Sequence, residues 1–357
     1  MSVEAQKAET QGGLSGAYVR TTNDRALEIL QEFYGVSGAL ARFDTEKDDT
    51  FRVKTDQGAF VLKVANPDET PVEIDFQNGI LKHIAEKDPS LPVPRLKQTS
   101  DGCDTGKITD IDGATRLVRL LTYLDGMPLD RTQSNPDERV QIGHVLARLR
   151  HAMADFSHPG EARCYPWDVQ HLLLQAPLLD EVKEPAKRTA LERGLQRFRE
   201  IEPRLRACRQ QVLHNDFSKS NIVVDHGDPN FVKGIIDFGD AVRTAVAIDV
   251  ATALLNQLPE TPNDDLFYRG RDILTGYLEM AELTEEELLL IPHLVMARVV
   301  VRALLTIWRA KLFPDNKTYI LRNTEQGWHQ LDWFLSRSID EVSQTLMPFS
   351  DRTGWKS

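Results

Sequence analysis

Two short stretches of this sequence place oxygen-bearing side chains where they could handle a charged, transferable group. The first is His214-Asn215-Asp216-Phe217-Ser218-Lys219-Ser220-Asn221, and the second is Ile235-Ile236-Asp237-Phe238-Gly239-Asp240. Together they read H-x-D-x-x-x-x-N, an apolar hairpin, and a strand ending in D-F-G-D. Phosphoryl transfer gives each part a task. An attacking hydroxyl needs an oriented proton acceptor, and Asp216 suits that role. A hard divalent cation takes oxygen ligands while phosphates and water fill the rest of its shell, so Asn221 and Asp237 are candidate Mg²⁺ ligands beside a nucleoside triphosphate. His214 is expected to buttress the loop by hydrogen bonding rather than to touch substrate. A capped structural turn would explain His214, Asp216 and Asn221 without chemistry, but Asp237-Phe238-Gly239 at this distance after an apolar strand argues against it.

The pattern resembles the catalytic core of protein-kinase-like folds. The His-x-Asp form, with no Arg before the Asp, is similar to the aminoglycoside phosphotransferase and choline kinase (APH) family. Within that family the chain looks most like the hydroxylysine-kinase branch and the related phosphotransferase domains sometimes fused to class-III aminotransferases. The stretches that carry this are Ala59 to Val64, Ile74-Asp75-Phe76-Gln77-Asn78, Arg116 to Gly126, His214 to Asp240, and Leu312 to Lys317 followed by Gly327-Trp328. They span residues 27–335. The resemblance implies a bilobal α+β fold, with a β-rich N-terminal lobe and a mostly helical C-terminal lobe. It also implies Mg²⁺, with ATP or GTP as co-substrate, and an amino-alcohol or hydroxy-amino-acid acceptor.

Lys63, in Phe60-Val61-Leu62-Lys63-Val64, shares a strand face with Val61. A small apolar residue two before a Lys is the arrangement that packs a nucleotide base and holds the α/β-phosphates, although a Lys in a hairpin is also an ordinary solvated strand residue. In many relatives a helix Glu pairs with this Lys. The corresponding slot here is Gln77, and Asp75 or Glu73 could substitute. The backbone of Leu121 and Tyr123, in the connection between lobes, is placed to read a purine edge. Asp44 to Thr50 occupies the position of a phosphate-covering loop but lacks G-x-G-x-x-G; Thr45 and Thr50 are phosphate-contact candidates in it. A plain hairpin loop is the alternative. Asp249 is expected to support the catalytic loop from behind.

Several elements must position these residues. Asp24 is expected to cap a helix with Leu27, Leu30 and Phe33 on its apolar face, ended by Gly35. Strands are predicted at 51–55 and 59–64, and at 105–111 and 115–122 about the Asp112-Gly113 turn. A helix is expected over 72–86. Beyond residue 125 helices dominate, at 136–155, 186–207, 266–282 and 284–310, the last opened by a Thr284/Glu287 capping box. A small hairpin is expected within 211–239. The predicted division is a flexible tail (1–23), a nucleotide-binding lobe (24–123), and a catalytic and substrate-binding lobe (124–357).

The net charge of −11 disfavours nucleic-acid binding. Three cysteines without CxxC spacing give neither a disulfide framework nor a zinc site. No basic start with an apolar run is seen, and 288–308 is interrupted by Pro292, His293, Arg298 and Arg302, so a cytoplasmic protein without a membrane span is expected. Asp240 could lie near an acceptor ammonium. Arg298 and Arg302, four apart, share a helix face; they read either as structural ion pairs with neighbouring acids or as a clamp for an amino-acid carboxylate. The leading expectation is a metabolite kinase acting on 5-hydroxylysine, with choline, ethanolamine, homoserine or an aminoglycoside as alternatives. A catalytically weak pseudokinase serving as a binding module is the reading of another class. The intact Asp216, Asn221 and Asp237 argue against it.

Overall fold

The computed structural model describes residues 18–352, apart from 44, 46, 47, 111, 112 and 260–264. Most of the expected tail, three positions of the acidic loop and Asp112 lie outside these. The first helix, α1 (Asn23–Tyr34), is capped by the Thr22 hydroxyl, which accepts from the Arg25 N–H, and Gly35 stops it in a left-handed conformation. Asp24 therefore sits in the first turn and is not the cap. The face turned to the sheet is Ala26, Ile29, Leu30 and Tyr34. Leu27 is exposed, because it stands about 100° around the helix from Ala26.

An antiparallel sheet follows. It contains β1 (Ala39–Arg42), β2 (Asp49–Thr55) and β3 (Gly58–Val64), then, after α2 (Pro71–Lys87), β4 (Leu96–Lys97), β5 (Gly106–Thr109) and β6 (Thr115–Thr122). The order is β1-β2-β3-β6-β4, with β5 also on β6. Thr70 and Glu73 form a capping box and Pro71 occupies the first turn, which fixes the start of α2. Alternation along β2, β3 and β6 buries Phe51, Val53, Leu62, Val64, Val118 and Leu120 against α1. The opposite face carries Lys63 and, directly across from it, Arg119.

One end of this sheet is locked by charge. Arg116 is almost fully buried and donates to Asp49, Asp110, Thr21 and the carbonyls of Val64 and Ala65. The Thr21 N–H also donates to Asp49, at 2.9 Å. Residues 18–22, grouped with the tail in the sequence reading, are thereby fastened to the sheet. A buried guanidinium is tolerable because its donors are all met by carboxylates, a hydroxyl and carbonyls.

The C-terminal part begins with β7 (Met127–Pro128) and α3 (Pro136–Ala152). It continues through α4 (Pro185–Arg206), β8 (Gln210–Leu213), β9 (Ile222–Val224), β10 (Val232–Ile235), β11 (Val242–Ala245) and α5 (Val246–Leu255). It ends with α6 (Gly270–Met280), α7 (Glu285–Leu312), α8 (Lys317–Leu321), α9 (Thr324–Leu335) and α10 (Ile339–Ser343). The hairpin expected within 211–239 forms as antiparallel β9 and β10; β7 adds to the edge of β9, and β8 pairs separately with β11. Thr284 and Glu287 do form the predicted capping box. By length and composition α7 could cross a membrane, yet 89% of its most apolar window is buried within the protein. The apolar face of α2 (Phe76, Ile80, Leu81, Ile84) packs into this C-terminal core rather than the N-terminal one.

Helices α3 and α6 touch backbone to backbone. A Cβ on Gly143 would lie 2.1 Å from the Ile273 carbonyl oxygen, and one on Gly276 would lie 2.0 Å from that of Val140. Neither carbonyl can rotate aside without breaking its helix. Gly276→Ala is therefore expected to force the helices apart and cost roughly 2–4 kcal/mol of stability. Thermal unfolding should show a clear drop in Tm; an unchanged Tm would mean the helices part freely.

Candidate active site

The loop 214–221 joins β8 to β9 and is fixed from beneath. His214 is fully buried, and its Nδ1 accepts from the Asp216 N–H at 3.3 Å. Its Nε2 is then the protonated nitrogen and donates to the Ile236 carbonyl at 3.1 Å. The ring packs on Phe238, with centroids 4.7 Å apart. Asn215 adopts a left-handed backbone (φ 63°), which Asn tolerates better than most residues. Its N–H donates to Asp249 Oδ1 at 2.8 Å. Asp249 lies on α5, buried; desolvation raises its pKa, against the pull of His214 and the backbone N–H groups it accepts from. The Ile236 N–H donates to the Asn221 carbonyl at 2.9 Å, drawing the D-F-G-D stretch against the loop.

Asp216, Asn221 and Asp237 consequently come together. Asn221 Nδ2 donates to the Asp216 carbonyl (3.0 Å) and to its Oδ2 (2.7 Å). This orients the Asn221 side chain by its nitrogen end and leaves its oxygen as the end suited to a cation. Asp237, also left-handed (φ 64°), is half-exposed. One amide oxygen and one carboxylate suit Mg²⁺, which takes much of its shell from phosphates and water. Among the described residues no cluster of three or more His, Cys, Asp or Glu is arranged for a metal. Lys63 Nζ lies 3.6 Å from Asp237, so the N-terminal sheet meets the C-terminal loops at this point.

The electrostatics are uneven. Desolvation, then Asp240, push the Asp216 pKa up to about 6, against Arg298 and His214. Arg298 reaches from α7 to within 3.7 Å of Asp216 Oδ1 and donates to the Trp167 carbonyl. Asp240 Oδ1 accepts from the Tyr165 hydroxyl at 2.5 Å, while the Asn215 amide donates to the Asp240 carbonyl at 3.2 Å. Burial works against the Lys63 ammonium, but Asp237 and Asp48 outweigh it, and its pKa stands above the ordinary lysine value.

Other candidates are placed differently from the sequence reading. Gln77 accepts from Arg119, not from Lys63. Glu73 pairs with Arg163 at 3.7 Å and Asp75 with His158 at 3.1 Å. The carboxylate on Lys63 is instead Asp48, at 3.0 Å. The Thr45 and Thr50 hydroxyls both donate to Asp48. Leu121 lies inside the sheet, paired with Val61 and Leu96, and the Tyr123 N–H donates to the Ala59 carbonyl. The Tyr123 N–H therefore faces the neighbouring strand β3. Neither Arg298 nor Arg302 pairs with an acid of its own helix. Arg302 donates to the Gln330 amide oxygen at 3.1 Å, and desolvation, then Arg298, pull its pKa down to about 10.

Sequence reasoning missed Asp48, Arg119, Tyr165 and Trp167. For Asp48 a signal existed, since it stands two residues before Thr50, the cross-strand partner of Lys63. The others are tertiary neighbours with no local mark.

A family model described as APH, phosphotransferase enzyme family, matches residues 42–283, more than half of the chain. Hydroxylysine kinase of Mus musculus is 26% identical over 351 residues, covering 90% of this chain and 92% of that one. Among solved structures, a microcompartment-associated aminopropanol kinase superposes with TM-score 0.71 at 20% identity, covering 88% of this chain and 98% of the other. Amicoumacin kinase in complex with AMP-PNP, Ca²⁺ and Ami gives TM-score 0.65 at 16% identity, covering 91% and 96%. At such identities the likeness carries the fold, which is the bilobal kinase-like architecture expected from the sequence.

Removing the carboxylate behind the loop tests how it is held. Asp249→Ala strands the buried Asn215 N–H, at a cost of roughly 1–3 kcal/mol. The variant is expected to melt lower and to lose at least about tenfold in turnover while nucleotide affinity changes little. Calorimetric binding beside a turnover assay reads both.

Proposed function

Because the chain belongs to the APH family of phosphotransferase enzymes, we propose that it moves the γ-phosphate of ATP or GTP to a hydroxyl of an amine-bearing amino acid, best fitted by 5-hydroxylysine. It is a small-molecule kinase. The observation that carries the finer reading is the convergence of Asp216, Asn221 and Asp237 with Lys63 at the junction of the two lobes.

Asp216 takes the proton of the acceptor hydroxyl as its oxygen attacks the γ-phosphorus and the nucleoside diphosphate departs. Asn221 holds one carboxylate oxygen, which leaves Oδ1, beside Arg298, to meet the hydroxyl. A carboxylate pushed up to about 6 accepts a proton more readily than an ordinary one and remains largely ionised near neutrality. Lys63 is held charged, fit for the phosphates. Bound Mg²⁺, taken by Asn221 and Asp237, would supply neutralisation of the charge on the transferring phosphoryl group.

Two features support an amino acid as acceptor. Asp240, beside Tyr165, offers a carboxylate to an ammonium. Arg302, one helical turn beyond the Arg298 that flanks Asp216, meets only a neutral amide among the described side chains. Its position suits a carboxylate several carbons from the reacting hydroxyl. Choline and ethanolamine, which lack a carboxylate, fit this less well than hydroxylysine or homoserine.

Asp216→Asn is expected to abolish turnover, by about 10³-fold or more, while Mg²⁺-nucleotide binding survives. Chelating divalent cations should stop the reaction in the parent protein. A panel of 5-hydroxylysine, homoserine, choline, ethanolamine and an aminoglycoside, with ATP and with GTP, should give diphosphate release strongest with 5-hydroxylysine. A preference for choline would sink the amino-acid assignment, and full activity in Asp216→Asn would remove the proposed base.

A further inference from the structure

Lys63 faces a crowded set of polar groups, and their pairing is unusual. The helix that packs behind the sheet, α2, offers it no carboxylate. Gln77 and Asn78 are nearly fully buried, and both accept from Arg119, Asn78 at 3.2 Å. Arg119 is the direct cross-strand partner of Lys63 and is itself buried. Among the described residues it meets no carboxylate. Docking of α2 on the sheet therefore runs through a guanidinium and two neutral amides, independently of the lysine.

The lysine is held from the opposite side. Asp48 Oδ2 lies 3.0 Å from its Nζ, and Oδ1 accepts from the Thr50 hydroxyl at 2.7 Å. Asp48 is buried and its carbonyl accepts from Arg20 and Thr45. The next residue, Asp49, is tied to Arg116, Arg42 and the Thr21 N–H. A carboxylate fixed at both oxygens, on a backbone held at its own carbonyl and at the next residue, is not free to swing away. It is a mount rather than a gate.

We infer that Asp48 is the positioning residue for Lys63. The hairpin joining β1 and β2 thus performs the task that a helix carboxylate performs where the lysine is paired with its neighbouring helix. This rests on the reading of Lys63 as the phosphate-holding cation. The position of that cation then follows the register of the β2–β3 hairpin, and displacement of α2 leaves it in place.

A double-mutant cycle on nucleotide affinity tests the assignment, because two residues that act through one contact are non-additive. The full chain would be titrated calorimetrically with AMP-PNP and Mg²⁺, a readout independent of the acceptor. Lys63→Met is expected to weaken binding at least about tenfold, and Asp48→Asn roughly five- to tenfold, in line with loss of a charge-assisted pair. The double variant should bind no worse than Lys63→Met within about twofold, whereas Gln77→Ala should add its smaller loss independently. Should Asp48→Asn fold poorly, Thr50→Val is the second variant: its loss of about two- to threefold must likewise vanish in the Lys63→Met background. If Lys63→Met weakens binding but Asp48→Asn leaves it unchanged, tightens it, or multiplies with Lys63→Met, this inference is overturned alone. If Lys63→Met binds as well as the parent, the nucleotide role of Lys63 falls, and the inference with it.

Discussion

The site is governed by an excess of negative charge in a small volume. Asp216, Asp237 and Asp240 lie within reach of one another's fields, facing two nearby cations, Lys63 and Arg298. Burial, and then the like charge of Asp240, raise the cost of ionising Asp216, and its raised pKa expresses that cost. Such an arrangement is tolerable in an empty protein because the backbone and neighbouring side chains hold the groups apart by fixed hydrogen bonds. Under the proposed function, a divalent cation and an ammonium-bearing acceptor would bring further positive charge and make it favourable.

The architecture behind the site follows from that demand. A loop carrying repelling groups must be anchored by bonds that do not depend on solvent, and each anchor is buried. His214 spans from the Asp216 N–H to the Ile236 carbonyl, Asp249 takes the Asn215 N–H, and Asn221 shares its backbone with the D-F-G-D strand. Two of the three non-glycine residues with positive φ among the described residues, Asn215 and Asp237, lie here. Such backbone is kept only where the surroundings over-determine it. The β8–β11 and β7–β9–β10 ladders and helix α5 provide those surroundings.

What could be read in the sequence was what depends on neighbours along the chain. The β2–β3 hairpin follows from alternation and Gly58, the Thr284/Glu287 box from its own four residues, and the chemical set from a motif with fixed spacing. Helix α5 escaped because every one of its residues is buried, which erases the amphipathic period that marks a helix. The pairing of β8 with β11 escaped because a ladder between distant segments leaves no local trace. The partners of Lys63, Gln77 and Arg298 were unreadable for a related reason. Charge chooses its partner by distance in space, and Asp48 lies in a loop that looked like a phosphate cover. The end of β6 at Thr122 was read correctly, but Leu121, assigned to the connection, is still inside the strand, paired with Val61 and Leu96.

Arg116 carries a consequence for how this chain can change over generations. Its guanidinium is satisfied jointly by Asp49, Asp110 and Thr21, from segments far apart in sequence. Substituting it alone leaves Asp49 with Arg42 and Arg20 but takes the guanidinium away from Asp110, and substituting either acid alone leaves the guanidinium partly unmet. These positions are thus coupled, since a change at one leaves the others poorly matched, and the strand that bears Lys63 keeps its seat for a reason unconnected with the reaction itself.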